Sequence, residues 1–448
     1  MSAEDPPENV RLPWSRSARL VPRSVVRPAQ EFLQTSSSSA LVLLGSVVLA
    51  LAWVNSPWAD AYDRLWATTV RFRVGPFNIG EDLHFWVNDG LMALFFLVVG
   101  LEVKREVVAG ELRRMRAAAL PVLGAIGGMV VPAAIYLGIA GGSAPRGWGV
   151  PMATDIAFAV GVLAVAQAHT SPHLKPLLLS LAIVDDIGAI LVIALFYTGG
   201  LDWPWVASAF VVVAAILTCE RLHVRALVPY VVLGVALWYA TYRAGVHPTI
   251  AGVALGLLTP ARPFQRSRAV SEAARRTADM TSDERDPIDA EARQWLQLSW
   301  LSREAVAPIA RLEHVLLPWT TFVIVPLFAL ANAGVELSWG AIRAAATEAV
   351  SIGVFVGLVI GKPLGVTIGA LVGVRSRVAT LPADVGWGDV IGMGATAGVG
   401  FTVALFVAEL AFTDAAILDQ AKIAILLASI VAAVSGYLTL RWSKRRPD

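Results

Sequence analysis

Long apolar runs constrain this chain more than any other feature. Roughly 20 consecutive apolar residues suffice to cross a bilayer as a helix. Runs of about that length recur from residue 37 to residue 441. A soluble domain cannot hide so much apolar surface. The chain is 56% hydrophobic and 16% charged, against about 25% charged residues in an ordinary soluble domain. In lipid every backbone polar group must be satisfied internally, so the spans are helices. The expected fold is an all-α polytopic membrane protein with about 12 transmembrane helices. They are placed near 37–55, 86–106, 117–138, 150–167, 174–197, 204–220, 226–243, 246–260, 314–333, 350–372, 386–410 and 417–441.

The polar segments define the rest of the organisation. Residues 1–36 are rich in Pro, Ser and Arg and lack the pattern of a signal peptide, so they read as an uncleaved N-terminal tail. Its arginines either touch anionic lipid or only help set topology. Residues 70–80, Val70 through Gly80, alternate around Gly75-Pro76 and predict a small β-hairpin in the first external loop. That hairpin is either a homodimer contact or an ordered loop. Residues 262–311 form the one long polar insertion and read as a flexible cytoplasmic linker. Residues 442–448 form a short C-terminal tail.

Lys and Arg set the orientation. With both termini in the cytoplasm, 28 of the 36 Lys and Arg residues fall on the cytoplasmic side and 6 on the other. The net charge of +2 gives no support to a nucleic-acid partner. A single cysteine, Cys219, excludes an internal disulfide and any multi-cysteine metal site. No cofactor is expected.

Two triplets of spans, 117–197 and 350–441, look alike. Each has a middle member dotted with small or polar residues: Pro151 to Asp155 in one, Gly392 to Gly400 in the other. The triplets start on opposite sides of the membrane. This pattern predicts inverted-topology repeats with two discontinuous helices, as in many secondary transporters.

Charge in the middle of a span costs about 2.5–3.5 kcal/mol per group on insertion scales. Asp155, Asp185, Asp186 and Lys362 sit where that cost applies, so they face one another or a water-filled cavity. Asp185 and Asp186 are neighbours on one helix and point about 100° apart. One carboxylate faces a cavity while the other faces a partner helix. Two acids this close do not both ionise freely, which keeps one proton exchangeable. Thr154 and Asp155 offer hard oxygen ligands suited to small hard cations. Asp155 is either such a ligand or a neutraliser of half-helix dipoles. Lys362 either pairs with an aspartate or snorkels to an interface, and its central position favours pairing. Glu102, Arg105, Glu106, Glu313 and His314 gather at one membrane face, where they either sense pH or are ordinary interfacial charges. His247, before Pro248, is a pH-sensitive group or a helix-start residue.

Seven stretches, in this order, resemble the NhaA-type bacterial sodium/proton antiporters. They are Phe96–Glu106, Ala153–Phe158, Ala182–Asp186, Gly245–Pro248, Arg311–His314, Ile360–Gly365 and Gly398–Thr402. The resemblance implies electrogenic exchange of cytoplasmic Na⁺ or Li⁺ for external H⁺ across the bacterial inner membrane, with two protons per sodium. By motif match Asp186 is the main cation-binding carboxylate, and Asp185 is its proton-carrying neighbour paired with Lys362. Thr154, Asp155, Gly398 and Gly400 match the broken-helix residues. Glu102, Arg105, Glu106, His247 and Glu313 match positions tied to pH response. Departures at 262–311, in the N-terminal tail, at Leu317 and at Ala310 bear on the pH set point rather than on the chemistry. An intramembrane aspartyl protease would leave Asp186 and Lys362 without a role. A retinal-type pump does not fit twelve spans. A cation channel would need no proton coupling.

Overall fold

The computed structural model describes residues 36–443 apart from 75–76, 167–170, 225 and 282–287. The tail arginines, the Gly75-Pro76 turn, the Asp283 to Asp286 run and residues 444–448 lie outside the described residues. The described chain is mostly helical. Its helices are α1 (Ser36–Val54), α2 (Ala59–Trp66), α3 (Met92–Ala109), α4 (Met115–Ala140), α5 (Ile156–Ala166), α6 (Leu174–Phe196), α7 (Trp203–Arg221), α8 (Leu227–Arg243) and α9 (Thr249–Leu258). They continue as α10 (Ser267–Thr281), α11 (Ile288–Glu304), α12 (Pro308–Trp319), α13 (Val325–Asn332), α14 (Trp339–Thr347) and α15 (Ala349–Val356). The last four are α16 (Lys362–Arg375), α17 (Trp387–Ala397), α18 (Phe401–Ala411) and α19 (Ala415–Ser443).

Among the described residues, 7 helices are long and apolar enough to span a bilayer, or 9 if each of two bent pairs is one span. The chain is a multi-pass membrane protein. Three expected spans fall outside that set for physical reasons. α3 carries Glu102, Lys104, Arg105 and Glu106 in its last turns, while α8 has 17 residues and α9 only 10. The expected hairpin is present: β1 (Thr69–Val74) and β2 (Phe77–Asp82) pair antiparallel, with Val70 opposite Glu81 and Phe72 opposite Ile79.

The insertion at 262–311 departs from its reading as a flexible linker. It folds into α10 and α11, which pack against each other. Ala, Arg and Glu in both segments, with Gln and Leu in α11, give good helix propensity. Their mixed charge made them look like loop.

Proline sets two local features that aim side chains inward. Pro326 and Pro363 each stand at the second position of a helix, and each is preceded by a π-helical stretch, Thr320–Ile324 and Gly357–Gly361. Proline has no N–H, so a carbonyl one turn earlier loses its partner and the helix widens there. The second of these stretches ends immediately before Lys362.

α4 packs backbone to backbone against α16. A Cβ at Gly127 would strike the Gly365 carbonyl, and a Cβ at Gly365 would strike the Gly127 carbonyl. Close backbone approach through small residues is the usual way helices associate in lipid. Gly365→Val is therefore expected to lower stability by about 3 kcal/mol or more, since overpacking against backbone has no side chain that can yield. A thermal-shift measurement in detergent reads this, and an unchanged melting temperature would contradict it.

Candidate functional site

The site forms where two breaks in regular backbone meet. In the first, a 3₁₀ segment Pro145–Met152 ends in extended backbone at Ala153, and the chain resumes as α5 at Ile156. Pro151 disfavours regular helix here. In the second, α17 and α18 are separated by Gly398, Val399 and Gly400 and bent by 49°. The two breaks are bonded to each other. Asp155 N donates to Val399 O at 2.7 Å, and Thr154 Oγ1 donates to Ala397 O at 2.8 Å. Each break therefore supplies partners for the backbone that the other leaves free.

Asp155 is fully engaged. Its Oδ1 accepts from Phe158 N at 3.2 Å, and its Oδ2 accepts from Thr402 N at 3.2 Å and Thr402 Oγ1 at 2.5 Å. The carboxylate thus caps the N-termini of α5 and α18 together, where the partial positive ends of two helices converge. Of the two sequence readings, dipole neutraliser matches this geometry. Gly398 leaves no room for a side chain at the second break, and Gly400 is tightly surrounded. A Cβ at Gly398 would lie 2.5 Å from Leu358 O, and one at Gly400 would lie 3.1 Å from Ala153 O.

Lys362 is wholly buried and sits between two acceptors. Its Nζ donates to Asp185 Oδ2 at 2.6 Å and to the Met152 carbonyl, the last residue of the 3₁₀ segment. The ammonium meets a carboxylate and a negative helix end at once. A buried pair of this kind stands only because each charge satisfies the other.

Asp185 Oδ1 and Asp186 Oδ1 are both buried without a hydrogen-bond partner among the described residues. The two carboxylates differ in that Asp185 Oδ2 is paired with Lys362, whereas Asp186, 6% exposed, has no ion pair among the described residues. Asp185, Glu102, Asp155 and Lys362 are the charges close enough to act on Asp186. Three of the four are acids. This places a strongly negative spot in a low-dielectric interior, which attracts a cation or a proton. Among the described residues no group of three or more His, Cys, Asp or Glu side chains forms a metal cage.

The remaining sequence-selected residues divide into two places. On the side of α3's C-terminal end, Arg105 Nη1 donates to Glu313 Oε2 at 2.8 Å, with Glu102 close to both. Glu106 Oε1 accepts from Ser180 Oγ at 2.9 Å and from Glu111 N at 2.9 Å. Glu106, Glu111, Ser171, Lys175 and Ser180 line a cavity of 540 Å³ beside α6, the helix that carries Asp185 and Asp186. His247 is elsewhere. Its Nδ1 lies 3.3 Å from Asp89 Oδ1, and its ring centroid lies 5.5 Å from that of Phe406.

Outside the spans, Asp384 joins two loops on the side that holds Lys175. It accepts from His173 Nδ1 at 2.9 Å and from the Ser171 hydroxyl. These two donors hold its carboxyl at about 2, below the ordinary value of 3.8. The tie is present above the ordinary value and is lost as pH falls through about 2.

Several site residues escaped the sequence reading. Thr402 touches Asp155 directly, yet a hydroxyl gives no hydropathy signal. Asp89 pairs with His247. A second buried ion pair, Lys422 Nζ with Glu409 Oε1 at 2.7 Å, lies near His84, whose Nε2 is 3.0 Å from Asn332 Oδ1. Glu409 lies near the end of α18, where the insertion cost that flagged Lys362 is smaller. Thr402→Val removes one donor to Asp155 and leaves the backbone donor. It is expected to cost about 1–3 kcal/mol, as for a hydrogen bond to a buried charged group, and to lower transport without abolishing it. Wild-type stability in a melting assay would contradict that.

A multi-pass membrane bundle with a buried Asp–Lys pair beside two touching backbone breaks has the build of an ion-coupled secondary transporter. The comparisons with known proteins are specific on this point. The chain belongs to the Na⁺/H⁺ antiporter 1 family, whose model matches residues 30–440. It is 47% identical over 423 residues to the protein named Na(+)/H(+) antiporter NhaA 2 of Sorangium cellulosum, covering 93% of this chain and 90% of that one. It is 44% identical over 416 residues to Na(+)/H(+) antiporter NhaA of Janthinobacterium, covering 91% of each. Among solved structures, the sodium proton antiporter MjNhaP1 of Methanocaldococcus jannaschii covers 94% of this chain and 98% of that one. The TM-score is 0.46 with 11% identity, too loose a likeness to bear on the site.

Proposed function

We propose that this chain is a secondary active antiporter, and not an enzyme, that exchanges cytoplasmic Na⁺, or Li⁺, for external H⁺ in the bacterial inner membrane. Membership in the antiporter family and the names of the relatives support the ion pair exchanged. The observation that carries the mechanism is the unequal pairing of two adjacent carboxylates: each has one buried oxygen without a partner, but Asp185 is held through its other oxygen by Lys362, while Asp186 has no ion pair among the described residues. In this reading Asp186 binds the cation, helped by Thr154 and backbone carbonyls at the broken helices. Asp185 and Lys362 exchange protons as one coupled pair. A cation arriving at Asp186 and a proton arriving there compete for the same lone pairs. That competition is what exchange requires, because binding one ligand must release the other. Two protons against one sodium moves net charge, so the cycle is electrogenic and is driven by the membrane potential as well as by the pH gradient.

The same reading supplies the remaining architecture. Twelve spans, counting α3, α8 and α9, return the C-terminus to the cytoplasm beside the N-terminus. The domain limits are 1–36 for the cytoplasmic tail, 37–441 for the transmembrane unit and 442–448 for the C-terminal tail. The triplets 117–197 and 350–441 act as inverted repeats crossing at their breaks. The cavity beside Glu106 admits cytoplasmic cations to α6. Arg105, Glu102, Glu106 and Glu313, with His247 on the opposite side, set the pH response. The 70–80 hairpin is the contact for a homodimer.

Purified protein in liposomes tests the exchange. An inward Na⁺ gradient is expected to drive proton efflux that K⁺ does not drive. Sodium flux with no accompanying proton movement would favour a channel and overturn the antiport reading.

A further inference from the structure

The helical hairpin α10–α11 presents an apolar surface that the transport mechanism does not use. On α11, Trp295 is 46% exposed, Leu296 is 68% exposed and Trp300 is 52% exposed. At 100° per residue these side chains fall in one arc of about 140°, with Ala292, Ser299 and Arg303 between them. The opposite side of α11 is occupied: Leu298 and Leu301 are half-buried and Glu304 is buried. So α11 has an inner face against α10 and an outer face of two tryptophans and a leucine edged by arginine.

The base of the hairpin fixes where that outer face is carried. Phe264 N and Gln265 N both donate to Glu304 O at 3.1 Å, closing the hairpin, and Ile309 N donates to Pro260 O at 3.3 Å. Only a few residues separate the hairpin from α9 and α12, so its base cannot leave the membrane surface. The Phe264 ring lies 6.3 Å from the His223 ring in the turn between α7 and α8. That turn is at the lipid-facing edge of the bundle, since Leu222 is 71% exposed, Leu227 59% and Val228 70%. Arg262, Arg266, Arg268 and Arg303 are exposed at the base of the hairpin, where Glu304 is buried.

We infer that α11 is an interfacial helix that lays its Trp295–Leu296–Trp300 face into the bilayer surface beside α7 and α8, with the base arginines binding anionic lipid headgroups. Tryptophan is favoured at the level of the headgroups, where its ring is apolar and its N–H finds polar partners. A helix with an apolar face and adjoining basic residues binds such a surface by buried area plus attraction to anionic lipid. A contiguous exposed apolar face of this kind marks an interaction surface.

Site-directed spin labelling tests the placement. Labels go at Ser299 and Ala292 on the outer face and at Gln297 on the water-facing edge, each as a cysteine variant carrying Cys219→Ser. Retained Na⁺-driven proton exchange identifies the folded variants, and either outer-face label suffices. In liposomes containing anionic lipid, the outer-face label is expected to be severalfold more accessible to oxygen, relative to a water-soluble nickel chelate, than the Gln297 label. In purely zwitterionic liposomes that contrast is expected to shrink. Equal accessibility of the two faces in both lipids would overturn the proposal, as would dipolar broadening at Ser299 from a second copy. A contrast unaffected by lipid charge would overturn the role of the arginines.

Discussion

Asp186→Asn is expected to abolish Na⁺-dependent dissipation of a pH gradient in everted vesicles, with the protein still folded and inserted. The substitution is nearly isosteric and removes only the charge. The buried Asp186 oxygen has no protein partner to lose, so stability should change little or rise. Transport is another matter. With the negative spot at Asp186 reduced to Asp185 held by Lys362, nothing at the crossing attracts a cation strongly enough to displace a proton. A loss of at least about two orders of magnitude in exchange rate is expected, as for removal of a group on which the transported charge depends. Normal exchange by this variant, measured by fluorescence dequenching after Na⁺ addition, would remove Asp186 from the centre of the mechanism.

Lys362→Ala should show the opposite balance: a large stability loss. The ammonium is fully buried and bonded to Asp185 and to the Met152 carbonyl. Removing it strands a carboxylate and a helix-end carbonyl together, at a cost of about 3–5 kcal/mol. The melting temperature in detergent should fall by several degrees, and proton coupling should change. The double variant Lys362→Ala with Asp185→Asn separates the two effects. It should recover most of the stability, because no uncompensated charge remains, while proton coupling stays impaired. A single variant as stable as wild type would show that the pair does not hold the crossing together.

Much of this site was legible in the residues, for a definite reason. Charge inside an apolar helix is costly, so Asp155, Asp185, Asp186 and Lys362 stood out against their surroundings. Pro151 and the Gly398 to Gly400 stretch also mark where regular backbone stops, since neither favours continuous helix. Other groups were hidden by the same logic. Thr402 is polar without being costly. Asp89 and Glu409 lie toward the ends of their spans, where insertion cost falls. Burial cost alone does not say which carboxylate Lys362 meets; the family resemblance implies Asp185, and Lys362 Nζ is bonded to Asp185 Oδ2. The residues at 262–311 were misread because hydropathy treats mixed charge as loop. Their helices become visible only when α10 and α11 pack together. The roles of Asp155 stayed open in sequence because a ligand and a dipole cap use the same residue, and only its hydrogen bonds separate them.

The most direct test of the central claim is proton release on cation binding. Purified protein in weakly buffered detergent solution, monitored with a pH indicator, is titrated with NaCl and, as control, with KCl. Competition at Asp186 predicts that Na⁺ releases protons from wild type, that K⁺ does not, and that Asp186→Asn releases none. Saturable Na⁺ binding with no proton release from wild type would contradict the account.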